Sequence, residues 1–412
     1  MQNRIGRPLL ASVLLSTAAG AWAVQPGEDG LTLGAQFGVI RDDNPLLIPI
    51  GLDDAAALLN RPKSELTPQA DTIRYTQLSA SYTGTLSLQK LGVSANVKDA
   101  RHQEFSDLDY RSYNEQAWWN WTLTDRFTGR LAYTKDRTPV SLKYETSREL
   151  DLITRNSPEA MLAWALTPDW YIDARYVPAS NAHTLERKKY LDNDTTEYRY
   201  RLGVKHPTGY GGGVLLRDND LEYKDPSAKP PGSTLDSGYR DREMSFYANW
   251  APSGRTRFDG KVGYQSRDHN TNVERDYKGG IGNLNASYSL TGDTDLTASL
   301  ARTIGGEEED VNGSYAIHRV ATAGINHRFT PLISSYINWR SEIIDFQNNL
   351  INSVINIDNR VDHEHIFAVG LAYKPHQLVD IGLNWQQDRR TSNIPYGGFK
   401  QQQVSLYLML SY

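Results

Sequence analysis

The chain ends in a stretch of regular alternation, residues 404–412, which reads Val404-Ser405-Leu406-Tyr407-Leu408-Met409-Leu410-Ser411-Tyr412. Apolar side chains occupy every second position, and the terminal tyrosine falls in the same register. A repeat of two residues places these side chains on one face of a β-strand. Termini of soluble domains usually fray. The last strand of a closed membrane barrel instead pairs with the first, because lipid tolerates no open sheet edge. The stretch therefore predicts the closing strand of a transmembrane β-barrel.

The same stretch resembles the C-terminal insertion signal of bacterial outer-membrane barrels, in which a terminal aromatic residue follows alternating apolar residues. The positions that carry the resemblance are Val404, Leu406, Leu408, Leu410 and Tyr412. The resemblance implies recognition by the barrel-assembly machinery. Taken alone, the stretch is also compatible with an edge strand of a soluble β-sandwich.

The N-terminus predicts export through a secretory signal peptide. Arg4 and Arg7 precede an apolar run, and small residues at Ala21 and Ala23 follow it at the spacing of a cleavage site. We therefore expect residues 1–23 to be removed and 24–412 to form a single barrel domain. The chain has no Cys, so the sequence predicts neither a lipoprotein nor disulfides nor thiolate metal sites.

Composition excludes a helical membrane protein. Mean hydropathy is -0.57 and 23% of residues are charged, and no later apolar run approaches the roughly 20 residues that a spanning helix needs. The chain holds 24 Tyr and 9 Trp, residues that favour membrane–water interfaces. A net charge of -5 indicates no nucleic-acid partner.

Short turns rich in Pro, Gly and Asp alternate with longer polar connections along the chain. The predicted turns lie at 90–92, 124–126, 167–169, 207–209, 252–254, 291–293, 330–332 and 374–376. Eight turns and nine longer connections predict an all-β, antiparallel, up-and-down transmembrane barrel of eighteen strands, or of sixteen if 31–41 is not a wall strand. Both termini would then lie in the periplasm. Aromatic residues beside the turns predict a girdle at that end: Phe127, Trp170, Trp250 and Phe329.

Several strands carry ionisable side chains on one face and apolar or aromatic side chains on the other, which predicts a wet lumen and a lipid-facing exterior. The predicted lumen residues are Arg175, Arg199, Arg201, Lys205, Arg257, Asp259, Lys261, Arg267, Arg340 and Asp380. Two interpretations remain open for these charges. They line the path of a solute, or they pair with one another and brace the wall.

Other candidate sites are weaker. His363 and His365 share one strand face and are weak metal candidates without an identifiable third ligand, so we expect no cofactor and no catalytic centre. The acidic run 307–310 is either a divalent-cation site or a solvated loop. The first long loop, 42–71, is apolar in part, and it either enters the lumen as a constriction or packs on the rim.

The beginning of the predicted barrel is similar to the opening of the EpsL-type outer-membrane family, in which a first strand leads into an Asp-Asp-Asn-Leu-like segment. The residues that carry the resemblance are Phe37-Gly38-Val39-Ile40-Arg41-Asp42-Asp43-Asn44-Pro45-Leu46. The resemblance implies a role in exopolysaccharide biosynthesis and export. Its implied partners are outer-membrane lipids, a polysaccharide and periplasmic components of a secretion complex.

The leading hypothesis from the sequence is therefore a non-enzymatic outer-membrane conduit for an exopolysaccharide. The alternatives are a general or sugar-selective diffusion porin, a rim-active outer-membrane hydrolase, and a barrel whose loops act in adhesion.

Overall fold

The computed structural model describes residues 29–55, 59, 61–144, 149–206, 208–229, 235–305, 315–347 and 360–412. The predicted signal peptide and the acidic run 307–310 lie outside these ranges. Within the described ranges, no helix combines the length and the apolar character needed to cross a membrane.

Eighteen antiparallel strands form one closed sheet in which each strand pairs with its sequence neighbours and the last pairs with the first. The strands are β1 (Gly30–Asp42), β2 (Asp71–Leu86), β3 (Gln89–His102), β4 (Tyr110–Thr122), β5 (Phe127–Pro139), β6 (Leu152–Ala165), β7 (Trp170–His183), β8 (Asn193–Lys205), β9 (Gly211–Tyr223), β10 (Gly238–Ser253), β11 (Thr256–His269), β12 (Tyr277–Ser289), β13 (Thr294–Gly305), β14 (Tyr315–Thr330), β15 (Ile333–Gln347), β16 (Val361–His376), β17 (Val379–Ser392) and β18 (Phe399–Ser411). The predicted barrel of eighteen strands is confirmed, and β1 is part of the wall.

The two ends of the barrel differ in their connections. Short turns join the strands at one end, and longer loops join them at the other. The loops contain the short 3-10 helices Leu52–Ala55, Lys63–Glu65, Ser106–Leu108, Leu142–Tyr144, Glu186–Leu191, Pro226–Ala228 and Val273–Arg275. The N-terminal end of β1 and the C-terminal end of β18 both lie at the short-turn end.

Two predicted turns are wrong by a few residues. The first short turn uses Ser87, whose φ is 56°, and the predicted turn residue Gly92 lies inside β3. Gly92 is required there for a different reason, because a Cβ atom would come within 2.3 Å of the Trp118 ring. Pro375 likewise lies within β16, at a register shift next to the turn, where a proline costs no ladder hydrogen bond.

The closing pair of strands joins the two ends of the chain. β1 and β18 are in register from Gly34 opposite Ser411 to Asp42 opposite Gln403. Leu33 and Tyr412 then exchange two backbone hydrogen bonds of 2.8 Å beyond the last register pair. The terminal alternation therefore forms the closing strand, as predicted.

Apolar side chains cover the outside of the barrel and polar side chains fill the inside, the reverse of a soluble domain. On β18, Leu406 is 56% exposed on the outer face, whereas its inward neighbour Ser405 is buried. The predicted aromatic residues also lie on the outer face near the short turns. Trp170, Trp250 and Phe329 are exposed there, and Phe127 stacks on Trp164 at 5.8 Å.

Three loops at the loop end share one arrangement of an aspartate and a neighbouring hairpin. Asp71 accepts backbone hydrogen bonds from the loop after β3, Asp151 from the loop after β7, and Asp236 from the loop after β11. In each case the aspartate stands at or just before the start of an even-numbered strand and holds the neighbouring loop. The repeated arrangement ties three pairs of neighbouring loops together.

Candidate functional site in the barrel lumen

All ten predicted lumen residues lie on the inward face by strand register. The register pairs Arg175 with Arg199, and Lys261 with Tyr247, whose hydroxyl lies inside the barrel 2.8 Å from that of Tyr171. Lys205, at the short-turn end, places its ammonium 5.6 Å from the centre of the Tyr171 ring. The role of these residues in a solute path remains a prediction.

Most of these charges pair with neighbours on the same wall. Arg201 lies 2.8 Å from Asp173 on β7, and Arg340 lies 2.7 Å from Glu342 two residues along its own strand. The other pairs are Arg175 with Glu159, Arg199 with Glu197, Lys261 with Glu243, Arg267 with Asp241, Arg257 with Asp259 and Asp380 with Lys374. The interpretation that the charges brace the wall is therefore supported for the described residues.

Three arginines stand side by side on adjacent strands of this charged wall. Arg175, Arg199 and Arg217 are direct register partners on β7, β8 and β9. Their carboxylate partners are Glu159 on β6, Glu197 on β8 and Glu243 on β10. Sequence reasoning found two of the three arginines and missed Arg217, because the adjacent apolar residues Leu215 and Leu216 interrupt the alternation of its strand.

The described part of the loop between β5 and β6 reaches across the lumen at Lys143. The Lys143 ammonium pairs with a carboxylate oxygen of Glu364 and lies 3.1 Å from Asp388. These partners stand on the inward faces of β16 and β17, and the strands β4, β3, β2, β1 and β18 separate β17 from β5 along the ring. The side chain of Arg390 also donates to the backbone carbonyl of Lys143. The loop is thus fastened to the far wall.

The contact between this loop and strands β16 and β17 contains three cations and three carboxylates. Asp362, Glu364 and Asp388 provide the negative charges, and all three are buried. Arg360 lies 2.7 Å from Asp362, and Arg390 lies 3.7 Å from it. The cations are therefore Lys143, Arg360 and Arg390. Such a neutral, hydrogen-bonded cluster is stable in place, whereas removal of one member leaves an uncompensated buried charge.

The electrostatics of Lys143 agree with a fixed contact. Burial lowers the pKa of the Lys143 ammonium, but the carboxylates of Glu364 and Asp388 outweigh burial and raise it above its ordinary value. The ammonium therefore stays charged across the physiological pH range. Sequence reasoning missed this residue, because neither its loop nor its partners carry a recognisable motif.

The wall formed by β2, β3 and β4 is polar toward the short-turn end, and its lining residues there include the cations Lys90 and Arg130. It lines a cavity of about 560 Å³, open to the lumen. The lining includes Ser79, Ser94, Asn96, Asn114, Gln116 and Trp118. The guanidinium of Arg130 lies 5.4 Å from the Trp118 ring centre and donates to Asn120 at 3.0 Å. Hydroxyl and amide groups around one aromatic face suit a small hydroxylated solute.

The described part of the first loop packs on the rim. The side chain of Asn44 donates to the backbone carbonyl of Lys400 at 2.9 Å, and the backbone N–H of Ile50 donates to Gly398 at 2.9 Å. Ile48 and Leu66 are both 2% exposed. These contacts fasten the loop to the adjacent hairpin of β17 and β18.

His363 and His365 lie on the outer face of β16, and Glu364 between them points into the lumen. Within the described ranges, no group of three or more His, Asp or Glu side chains is arranged to hold a metal ion. The two imidazoles are thus outside the lumen, where they adjoin basic residues of β17 and β18.

No protein-family model and no curated protein matches the chain. Solved structures do. Pseudomonas aeruginosa OccK9 (OpdG) aligns with a TM-score of 0.50 at 13% identity, over 93% of this chain and 98% of that one. Acinetobacter baumannii OccAB3 aligns with a TM-score of 0.50 at 9% identity, over 93% and 100%. The shared fold is a closed antiparallel β-barrel of the outer-membrane type. At these identities the likeness concerns the fold, and the resemblance to the EpsL-type family stays a prediction.

Proposed function

We propose that the protein is an outer-membrane channel for the passive diffusion of small hydroxylated solutes, with both termini in the periplasm. The observation that carries this proposal is the contact of Lys143, in the loop between β5 and β6, with Glu364 and Asp388 on β16 and β17. A loop held across the lumen in this way narrows the passage. A narrowed, polar passage suits solutes of the size of a sugar unit.

The two sides of the lumen support a selective passage. The cavity on β2, β3 and β4 offers hydroxyl and amide groups around Trp118, and weak contacts of this kind let a solute bind and leave. The wall at β7, β8 and β9 carries the row of Arg175, Arg199 and Arg217, whose charges are largely offset by carboxylates. The offset charges favour a neutral, hydrogen-bonding solute over an ion.

Export of an exopolysaccharide is the second candidate, and the resemblance at residues 37–46 favours it. A polymer in transit occupies the bore for its whole length, so the contact between Lys143 and the far wall would have to open during export. Deletion of the gene, with secreted polysaccharide as the readout, tests this candidate. Unchanged secretion would reject it.

The hydrolase alternative has little support among the described residues. The closest arrangement to a catalytic pair is His183 with Asp151, whose Nδ1 and Oδ2 atoms are 2.6 Å apart. Asp151 also accepts backbone hydrogen bonds from Thr184 and Leu185. The aspartate is therefore occupied in holding a loop, and the pair is structural.

Liposome swelling tests the proposed channel. We expect purified barrel in phosphatidylcholine vesicles to admit monosaccharides rapidly, with a rate that falls steeply from di- to tetrasaccharides. Vesicles that hold heat-unfolded protein provide the control. No swelling with any sugar would contradict passive diffusion, and equal rates for all sizes would contradict a narrowed bore.

A further inference from the structure

The outer face of the barrel near the loop end carries basic residues on consecutive strands at the closing seam. His365, Arg389 and Lys400 form one row, because His365 is the register partner of Arg389 and Arg389 is the register partner of Lys400. Arg41 and Arg74 lie on the next two strands, β1 and β2, close to their loop ends. We name these five residues the seam cations. All five are exposed.

The seam cations differ from other outward arginines at this end in their partners. Arg240 pairs with Asp218, Arg242 with Asp268 and Arg319 with Asp345. In the described part of the chain, by contrast, no carboxylate lies within ion-pair distance of any of the seam cations. Arg41 donates to the Thr72 hydroxyl at 2.9 Å, and that is a neutral partner.

The carboxylates nearest in sequence are directed elsewhere. Asp43 accepts the backbone N–H of Gln402 at 2.6 Å. Glu364 and Asp388 lie on the inward face and bind Lys143. Like charges directly opposite each other on neighbouring strands are destabilising. The pair of Arg389 and Lys400 therefore requires an anion from outside the chain for full compensation.

The position of the patch indicates where that anion comes from. Along the same outward face of β18, Val404, Leu406 and Leu408 follow toward the short turns, and all are exposed apolar residues. Val39 and Phe37 do the same on β1. The seam cations thus begin where the apolar band ends, at the level of lipid headgroups. A cation at that level attracts an anionic headgroup.

We propose that the seam cations bind the phosphorylated headgroup of a glycolipid in the outer leaflet. The row of His365, Arg389 and Lys400 holds one phosphate, and Arg41 and Arg74 hold a second. Guanidinium groups bind phosphate bidentately, which suits three of the five residues. The inference rests on the proposed outer-membrane location, and it is independent of whether the lumen conducts.

Lipid retention by the purified, full-length mature barrel tests this site. The barrel is exchanged into a neutral detergent, titrated with bis-phosphorylated lipid A, and bound lipid is counted by native mass spectrometry. We compare wild type with the triple variant His365→Gln, Arg389→Gln, Lys400→Gln. The matched control is Arg240→Gln, Arg242→Gln, Arg319→Gln, which removes three outward arginines that already have carboxylate partners.

We expect the seam variant to bind lipid A at least about tenfold more weakly than wild type, since three exposed ion pairs together supply roughly that factor. The control variant should bind within about twofold of wild type. Equal binding by the seam variant and wild type would overturn the proposal. So would equal binding of dephosphorylated lipid A by wild type, which would assign retention to the acyl chains.

Two further measurements keep the test decisive. Competition with inorganic phosphate tests whether the site binds any free anion. Displacement of lipid A by an equal concentration of phosphate would overturn the assignment to a lipid headgroup. Should the seam variant fail to fold, salt titration of wild type replaces it, and we expect affinity to fall with ionic strength. Sugar uptake by the same variants tests the channel proposal separately. Absence of uptake together with retained binding of lipid A would contradict only the channel.

Discussion

The Lys143 ammonium lies 3.1 Å from a carboxylate oxygen of Asp388, although five strands separate β5 from β17 around the barrel. The loop between β5 and β6 therefore reaches β17 inside the barrel. We expect the width of the passage to depend on this contact, and direct tests can measure that dependence.

Replacement of Lys143 by methionine should widen the passage. The change leaves the buried carboxylates of Glu364 and Asp388 without their cation, so the loop loses its anchor and the site becomes negative. We expect higher single-channel conductance in planar bilayers and a shift of selectivity toward cations. Lys261→Met is the matched control, because Lys261 pairs with Glu243 on an adjacent strand and holds no loop. Equal conductance of Lys143→Met and wild type would show that the loop does not limit the passage.

Replacement of Arg199 by glutamine should also alter ion selectivity without changing the width. Arg199 stands in the middle of the arginine row, between Arg175 and Arg217, and Glu197 is its partner at 2.7 Å. Its loss leaves that carboxylate less compensated, so the reversal potential in a salt gradient should move toward cation preference. Arg257→Gln, near the short turns, should give a smaller shift. A shift toward anions would contradict the assigned geometry.

The wall of this barrel was predictable from sequence because its pattern is local. Alternation with a period of two identifies each inward face, as at Arg199 and Arg201. A shift of one residue in strand register would turn the polar face toward lipid, so the alternation also restricts the register. The strand number followed from turn residues for the same reason. The misplaced turn at Gly92 shows the limit, since glycine served a packing contact with Trp118 rather than a turn.

The contact of Lys143 with β16 and β17 was not predictable, because it joins residues that are far apart in sequence. Lys143 and Glu364 come together only when the sheet closes. The first loop drew attention because residues 44–59 are apolar, yet its described part packs on the rim through Asn44. Composition identified a loop that is buried, and it could not distinguish burial on the rim from burial in the lumen.

Charged substitutions on the lipid-facing side of the closing strand should destabilise the barrel by an amount that depends on their depth in the membrane. Leu406→Lys places a cation in the middle of the apolar band, and we expect it to lower the free energy of unfolding by about 2–4 kcal/mol. Gln402→Lys, on the same face but near the loop end, should cost about 0–1 kcal/mol. Urea unfolding in lipid vesicles, followed by tryptophan fluorescence, measures both. Equal costs at the two positions would contradict the assigned band.

The contact between Asp236 and the loop after β11 should respond to acid only at low pH. Burial raises the pKa of Asp236, but hydrogen bonds from Asn272, Thr271 and Ser237 outweigh it and lower the pKa overall. A lowered folded-state pKa contributes stability above the ordinary value of about 3.9, and that stability is lost as pH falls further, through the folded pKa. Protease cleavage of the loop after β11 should therefore stay constant from pH 7 to 5 and increase below about pH 4.

Replacement of Asp236 by asparagine should loosen the same loop at neutral pH. The lost charge-assisted hydrogen bonds are worth on the order of 1–3 kcal/mol of local stability. Asp225→Asn is the control within the same loop region, because Asp225 is exposed and accepts only from its immediate neighbourhood. Faster hydrogen exchange at Thr271 and Asn272 in Asp236→Asn alone is the expected result. Equal exchange in both variants would mean that the aspartate does not hold the hairpin.

Cysteine accessibility along β13 tests most directly that the barrel has a wet inside and a lipid-facing outside. The chain has no Cys, so single substitutions from 295 to 300 report one position each. In vesicles, a small water-soluble maleimide should label positions 295, 297 and 299, and a lipid-soluble maleimide should label 296, 298 and 300. Uniform labelling by the water-soluble reagent, or labelling in the opposite phase, would contradict the membrane barrel and the channel proposed from it.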